Sequence, residues 1–352
     1  MNTARPGTLS VADLTKDAAG EPLLAEGGVV SNPWLVVDLD EAPVGGLEGA
    51  VEQAALADRL LIGRSTREVR ADLAPLIDAL DLTYAPRAVS RGVVETADPH
   101  AAIAAFTDAV EKNPQAALTL RQVLRASETL AAPAAIDVES FAYSMLQGGP
   151  EFAAWLTERG SRPLPPPCDE PVLIARDGDV LRITLNRPDR RNAYGTALRD
   201  ALVEGLRLVV LDDSIEQVVL EGVGSSFCAG GDLDEFGRTP DITLAHLIRT
   251  RGGAGRLVAQ LADRIEVHLH GHCIGAGIEI PAFAGRVVAE PGTMFRLPEV
   301  AMGLIPGAGG TVSIPRRIGR WRALHLFVTA VPINATDALR WGLIDEIRPA
   351  GS

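Results

Sequence analysis

The sequence is poor in cysteine and in long apolar runs, and each shortage excludes a class of protein. Its three cysteines, Cys168, Cys228 and Cys273, are too few and too widely spaced for a disulfide framework or a CxxC zinc site. No apolar run reaches the roughly 18 residues that a membrane helix needs, and residues 1–22 lack the pattern of a secretory signal. We therefore expect a protein of the reducing cytoplasm, with no membrane partner.

Positive charge is also scarce. The formal net charge is −13, and Lys16 and Lys112 are the only lysines. A generic nucleic-acid surface needs a basic footprint, so no nucleic-acid partner is expected, although a small phosphorylated ligand needs only a few arginines. His268, His270 and His272 would share one face of a strand, but no fourth ligand is evident, and we interpret them as a polar strand edge rather than a metal site.

Changes in composition divide the chain into four parts. Residues 1–30 are expected to be a mobile tail, and residues 31–160 a mainly helical N-terminal domain. Residues 161–171 hold five prolines in eleven positions, which predicts a stiff linker. In residues 172–352 strands, turns and helices recur, so we expect an α/β layer architecture there.

Within the N-terminal domain, apolar runs at residues 34–40 and 60–65 predict strands with a helix between them. From Arg67 to about Gly149 the pattern predicts helices. Asp98 is a candidate N-cap, and Pro114 divides two of the helices.

Two segments each place a single carboxylate in glycine-rich, otherwise apolar sequence: Glu279 in "HGHCIGAGIEIPAF" and Glu299 in "FRLPEVAMGLIPGAGG". A buried carboxylate is costly unless it is paired, hydrogen-bonded or protonated, so each has a candidate task. The segment "SSFCAGGDLDEF" and the Glu279 segment both lie between a strand and a helix. Small residues at such turns let backbone amides approach a ligand, and two amides converging on one carbonyl oxygen form an oxyanion hole.

These segments occur in the order and spacing of a known family. The motifs are "ITLNRPDRRNAYGTAL", "SSFCAGGDLDEF", "GHCIGAGIEI", "FRLPEVAMGLIPGAGGTVSIPRRIGR" and "ATDALRWGLIDEI". Over about residues 172–348 the chain resembles the crotonase superfamily, most closely its enoyl-CoA hydratases. The resemblance implies an α/β fold, a crotonase-like ββα spiral core, and chemistry on an acyl-CoA thioester.

The resemblance also implies roles for particular residues. The amides of Ala229 and Ala276 would form the oxyanion hole, and Glu279 and Glu299 would be the catalytic acids. Two carboxylates that hold one water can hydrate a 2-enoyl thioester: Glu279 would deprotonate the water and Glu299 would protonate the α-carbon. Two close acids do not both ionise easily, so one pKa should be raised. Pro281 departs from the family and fits only near a first helical turn.

The expected substrate is an acyl-CoA thioester, with coenzyme A entering as part of the substrate and no other cofactor. Arg190 and Arg191 lie at the entry of a helix, where they are candidates for coenzyme A phosphates. The remaining candidate contacts for the coenzyme are Ala193, Gly230, Gly231, Asp232 and Gly275. The resemblance further implies a homo-oligomer, a trimer or a hexamer.

The family normally continues beyond the "GLIDEI" segment with helices that cover the site. Residues 111–156 resemble that module. We hypothesise that the N-terminal domain supplies the cover in permuted order; an unrelated helical docking domain is the alternative.

Other functions stay open. Isomerases of 3-enoyl-CoA often keep a single working carboxylate. A cofactor-independent arylacetyl-CoA dioxygenase of the superfamily has a helical N-terminal extension but lacks the second glutamate, so Glu299 favours hydration. A candidate from another class is a non-catalytic scaffold with the crotonase fold.

Overall fold

The structure is a computed structural model that describes residues 7–16, 20–239 and 241–349. The expected linker connects two halves of the chain, and it contains neither helix nor strand. No helix in the described ranges is both long and apolar enough to cross a membrane.

The first part of the chain, residues 8–95, is a parallel sheet with short helices, which we call the sheet region. Its strands are β1 (Thr8–Ser10), β2 (Trp34–Asp38), β3 (Leu60–Arg64), β4 (Leu82–Ala85) and β5 (Val93–Glu95), and its helices are α1 (Val11–Thr15), α2 (Glu48–Leu56) and α3 (Ala74–Ala79). The strands pair in chain order, β1 to β5. The inner strands β2, β3 and β4 are almost wholly buried, as expected when apolar runs are covered on both faces of a parallel sheet.

The sheet region corrects two expectations. The prediction of a mobile tail is wrong for residues 8–15, because β1 pairs with β2 and the side chains of Val11 and Leu14 are buried. The rest of the expected tail lies partly outside the described residues. The prediction of helix from Arg67 onward is wrong for β4 and β5, which are too short to carry a period of their own.

Residues 99–159, which we call the helical region, match the expected helical character. The helices are α4 (Pro99–Lys112), α5 (Pro114–Ser127), α6 (Ala132–Gln147) and α7 (Pro150–Arg159). The side chain of Asp98 accepts a hydrogen bond from the Ala101 amide, which confirms the predicted cap. The predicted division of α4 from α5 at Pro114 is also confirmed.

The second half of the chain is the core domain, and it carries two sheets. Its strands are β6 (Val172–Asp177), β7 (Val180–Leu185), β8 (Gln217–Gly222), β9 (Ile265–Leu269), β10 (His272–Ile274), β11 (Arg286–Ala289), β12 (Met294–Arg296), β13 (Ile333–Asn334) and β14 (Glu346–Ile347). The larger sheet has the order β14-β11-β9-β8-β7-β6 and the smaller has β10-β12-β13. The larger sheet begins with the antiparallel hairpin β6–β7 and is parallel beyond it.

The helices of the core domain follow its strands in the α/β manner expected. They are α8 (Thr196–Leu211), α9 (Ile242–Arg251), α10 (Ala254–Gln260), α11 (Ala276–Glu279), α12 (Gly310–Ile318), α13 (Arg320–Thr329) and α14 (Ala335–Trp341). One apolar cluster runs through the core domain, the helical region and the inner face of the sheet region. The N-terminal half is therefore packed onto the core domain.

Candidate active site

A cavity of 240 Å³ lies between the helical region and the core domain. Its wall includes Glu279 and Glu299 from the core domain together with Glu139 and Tyr143 from α6. The cavity therefore brings together the two glutamates that the sequence singled out, and it adds residues from a part of the chain more than a hundred positions away.

Glu279 ends the short helix α11 and is buried. Its Oε2 accepts hydrogen bonds from the amides of Ala308 (2.7 Å) and Gly310 (3.0 Å). Burial raises the pKa of Glu279 to about 7, although these amides favour the charged form. The helix stops here, and Pro281 opens a separate 3₁₀ turn, so the proline occupies the first-turn position that its ring allows.

Glu299 begins a 3₁₀ turn, and its Oε2 has no hydrogen-bond partner in the described residues. Burial, followed by repulsion from Glu279, raises the pKa of Glu299 well above its usual value. Gly275 lies between the two acids: a β-carbon there would collide with Glu299 Oε1 and lie 3.6 Å from Glu279 Oε1. Glycine is also suited to the positive φ of +48° at this position. The two carboxylates thus border one small space, and Glu299, whose Oε2 has no donor, favours the protonated form.

A third buried carboxylate, Glu139, was not singled out from the sequence. Its Oε1 accepts from the Gly309 amide (2.7 Å), and its Oε2 accepts from the amide (2.8 Å) and hydroxyl (2.7 Å) of Thr311. Burial, and then repulsion from Glu279, raise the pKa of Glu139 to about 8. Glu279 and Glu139 therefore hold alternate amides of the same glycine-rich turn, one from each half of the chain.

The helical period of α6 carried a signal for Glu139. Positions 135, 136, 139, 140, 143 and 146 form its buried face. An acid on the buried face of an amphipathic helix needs a partner, and this criterion would have selected Glu139.

The backbone amides correct one predicted role. The Ala229 amide donates to the Arg191 carbonyl (2.9 Å), and Ala229 does not line the cavity. Gly231, two residues later, does line it, as does Ala276. Neither the Gly231 nor the Ala276 amide donates a hydrogen bond to a described residue. Gly230, with φ of +90°, reverses the chain between Ala229 and Gly231, so the second amide rather than the first faces the cleft.

Of the predicted coenzyme contacts, Arg190 and Asp232 are paired with each other, whereas Arg191 and Ala193 differ in exposure. Arg190 donates to Asp232 (2.7 Å) and Asp234 (2.8 Å), and these carboxylates hold its pKa above the usual range. Asp232 also caps the following 3₁₀ turn. Arg190 and Asp232 are therefore paired with each other in the structure. Arg191 is exposed, whereas Ala193 is buried.

The alternating histidines have partners of their own. His268 Nε2 lies 2.6 Å from Glu266 Oε1, and His270 Nε2 lies 3.0 Å from the Gly224 carbonyl oxygen. Within the part of the chain that the structure describes, no group of three or more histidines, cysteines or acids could hold a metal ion.

Comparison with known proteins adds a family. The model of the family described as "Enoyl-CoA hydratase/isomerase" matches residues 175–352. The chain is 34% identical over 179 residues to the 2,3-dehydroadipyl-CoA hydratase of Escherichia coli (strain K12), covering 51% of this chain and 69% of that protein. It is also 34% identical over 181 residues to the 1,2-epoxyphenylacetyl-CoA isomerase of the same strain, covering 50% and 69%.

Solved structures give a match of the same extent. An enoyl-CoA hydratase from Mycobacterium smegmatis is 29% identical, with a TM-score of 0.48, and the match covers 51% of this chain and 71% of that one.

Proposed function

We propose, since this chain belongs to the enoyl-CoA hydratase/isomerase family, that it adds water to a 2-enoyl-CoA thioester, or removes it from the 3-hydroxyacyl-CoA. One observation carries the proposal: two buried carboxylates, Glu279 and Glu299, border the same cavity as two amides without protein acceptors, those of Gly231 and Ala276.

The amides account for activation of the thioester. With the thioester oxygen hydrogen-bonded to Gly231 and Ala276, negative charge that develops on it is stabilised where it forms. Loss of one such donor typically costs about 3–4 kcal/mol of transition-state stabilisation. Gly231 replaces Ala229 in this proposal, because the Ala229 amide already has an acceptor.

The acids account for the proton transfers. Glu279, whose charged form is favoured by two amides, takes a proton from water as the water oxygen bonds to the β-carbon. The electron pair of the double bond moves onto the α-carbon and the thioester oxygen. Glu299, whose raised pKa keeps it protonated, then delivers a proton to the α-carbon. The sum is one water added, and the acids return to their starting states when Glu279 releases its proton to solvent and Glu299 takes one up.

Coenzyme A is the only cofactor that this reaction needs, and it arrives as part of the substrate. Exposed Arg191 is our candidate for a phosphate contact, with Ala193 and Gly230 shaping the adjoining backbone, while Gly275 lies between the two acids. We extend the proposal to a cytoplasmic homo-oligomer, a trimer or hexamer, which light scattering on the purified protein would test.

We also propose that the helical region, which precedes the core domain in the chain, is the cover of the site. The hydrogen bonds that the Gly309 and Thr311 amides donate to Glu139 support this role, because they connect α6 to the turn that holds Glu279.

The test is a spectroscopic assay of crotonyl-CoA and longer 2-enoyl-CoAs, following loss of the conjugated thioester absorbance. Glu299→Gln should lower turnover by about 10²–10⁴-fold while thioester binding persists, since a positioned acid contributes about that much. Glu216→Gln, at an exposed acid that does not line the cavity, is the matched control and should keep full activity. Full turnover in Glu299→Gln would remove the assignment. Double-bond migration in a 3-enoyl-CoA, or oxygen uptake with an arylacetyl-CoA, would replace hydration by the other family chemistries.

A further inference from the structure

Arg249, on α9, is a cation in the cavity wall whose hydrogen-bond partners are all neutral. Its Nε donates to Ser140 Oγ (3.1 Å) and its Nη1 to Gln147 Oε1 (3.0 Å), while Nη2 donates to Ser144 Oγ. Its guanidinium lies over the ring of Tyr143, 4.5 Å from the centroid. Neutral groups of α6 therefore fix its position. The charge of Glu139, also on α6, acts on Arg249 without an ion pair, because the Glu139 carboxylate is hydrogen-bonded to Gly309 and Thr311 instead.

The other arginines that line this cavity differ from Arg249. Arg199 pairs with Asp200 at 2.7 Å, and Arg256 pairs with Asp137 at 2.6 Å. Among the described residues, no aspartate or glutamate forms an ion pair with Arg249. A half-buried charge held by neutral dipoles retains most of its desolvation cost, and an anion that enters the cavity would offset it.

Tyr143 contacts both Arg249 and the turn that holds Glu279. The Tyr143 ring packs against Gly307, in the turn whose later amides hold Glu279, and it also contacts the Arg249 guanidinium. The Tyr143 hydroxyl has no hydrogen-bond partner in the described residues. Glu279, Glu299 and Arg249 line the same cavity, so an acyl chain with its α- and β-carbons between the two acids shares that space with Arg249.

We propose that Arg249 binds a carboxylate at the far end of the acyl group, so that the substrates are coenzyme A thioesters of unsaturated dicarboxylic acids. This inference rests on the proposed function and names its substrate class. The guanidinium supplies the charge, and Tyr143, which lines the cavity beside it, would supply a second hydrogen bond from its hydroxyl. An arginine–carboxylate pair of this kind is stronger than a neutral hydrogen bond and sets orientation as well as affinity.

Binding of saturated thioesters tests the inference apart from catalysis, because these ligands cannot be hydrated. Calorimetry compares succinyl-, adipyl- and suberyl-CoA with butyryl-, hexanoyl- and octanoyl-CoA. At least one ω-carboxyl thioester should bind about tenfold or more tightly than its neutral partner of equal length, as a charge-assisted hydrogen bond predicts. Equal or weaker binding across the whole series overturns the proposal.

The Arg249→Gln variant assigns that preference to a residue. It should lose the tenfold preference while its affinity for the neutral thioesters stays within about twofold, and Arg249→Lys should restore part of the preference. Arg251→Gln is the matched control, since it removes the same charge from an exposed position of the same helix, outside the cavity. An equal loss for both ligand classes would place the anion on the coenzyme phosphates and overturn the proposal.

The outcomes of these binding experiments can be distinguished from the outcome of the hydration assay. A carboxylate preference without turnover of any enoyl-CoA would retain the binding site and remove hydration. Hydration of neutral enoyl-CoAs with no carboxylate preference would do the reverse. If Arg249→Gln does not fold, the comparison of ligands on the unaltered protein, together with Arg249→Lys, decides the question.

Discussion

The two parts of the N-terminal half differ in their relation to the cavity. The helical region contributes Glu139, Tyr143 and other residues of α6 to the cavity wall, whereas no described residue of the sheet region lines it. The sheet region instead contacts α5 and α13: Asp81 pairs with Arg121, and the Tyr84 hydroxyl lies 2.7 Å from His325 Nδ1. The helical region thus contributes residues to the candidate active site, whereas the sheet region packs against helices of the protein without lining the cavity.

This difference matters because each region contributes a fully buried carboxylate that joins distant parts of the chain. Glu139 accepts from Gly309 and Thr311, in the turn beside the candidate base. Asp81 accepts from the Leu61 amide, Arg121 and Arg125, far from the cavity. Both should contribute to stability, but only the first should affect the rate of the reaction.

The largest expected effect is on stability, from Asp81→Asn. The change leaves the buried guanidinium of Arg121 without its counter-charge, and breaking a buried pair in this way typically costs about 3–5 kcal/mol. Chemical denaturation should show this loss. Well below the transition, kcat and KM of the folded variant should match those of the original protein, and a change in KM would contradict the division between the regions.

Glu139→Gln should lower both stability and activity. An amide side chain has one accepting oxygen, so either the Gly309 or the Thr311 amide loses its acceptor, at about 1–3 kcal/mol. Displacement of the glycine-rich turn also shifts the donors to Glu279, and small misplacements near reacting groups are costly, so kcat should fall about tenfold or more.

The separate effects of Glu139→Gln on kcat and on KM test whether Glu139 is a positioning residue. A fall in kcat at little changed KM fits that role, and Glu139→Asp should recover less than the full rate because its shorter side chain reaches fewer donors. Unchanged kcat in both variants, despite reduced stability, would make Glu139 structural only and would weaken the proposal that the helical region covers the site.

The dependence of kcat/KM on pH should again distinguish the residues at the cavity from the sheet region. Glu279 must be ionised to accept a proton, and its pKa is about 7, so activity should fall about tenfold per pH unit below that value. Glu299 must be protonated, and its pKa is raised well above the usual range, so activity should fall again at higher pH. Asp81→Asn should leave both limbs in place, since Asp81 does not border the cavity; a displaced limb would connect the sheet region to the acids.

The sequence was sufficient for the parts of the site that are local. The segments around Glu279 and Glu299, with Ala276 at the start of α11, predicted two acids and an amide at one cavity, and their positions in the cavity wall agree. The identity of the second amide needed the backbone conformation, because φ at Gly230 and the bond from Ala229 to Arg191 decide which amide is turned inward.

The rest depended on contacts between distant residues. Glu139 acquires its partners only when α6 packs against a turn about 170 positions later in the chain. Strands β4 and β5 have four and three residues, too few to show a period, and they are stabilised by neighbours in the sheet rather than by local preference. The sequence motifs and the family resemblance identified the core domain, whereas the contacts of the N-terminal half with it became visible only in the packed structure.

The smallest expected effect is from Tyr84→Phe, which removes one hydrogen bond between the sheet region and α13. Tyr84 is fully buried and His325 largely so, and burial lowers the pKa of His325 to about 4, so the ring stays neutral near pH 7. Losing the hydroxyl should cost about 1 kcal/mol of stability, measured by urea denaturation, with no change in kcat or KM. The T-shaped contact of the aromatic ring with Phe106 is kept in the variant, so a loss well above that figure would mean that the hydroxyl is needed to dock the whole sheet region onto α13. A change in KM of any size would mean that the sheet region takes part in binding, and the contrast between the two regions would then fail.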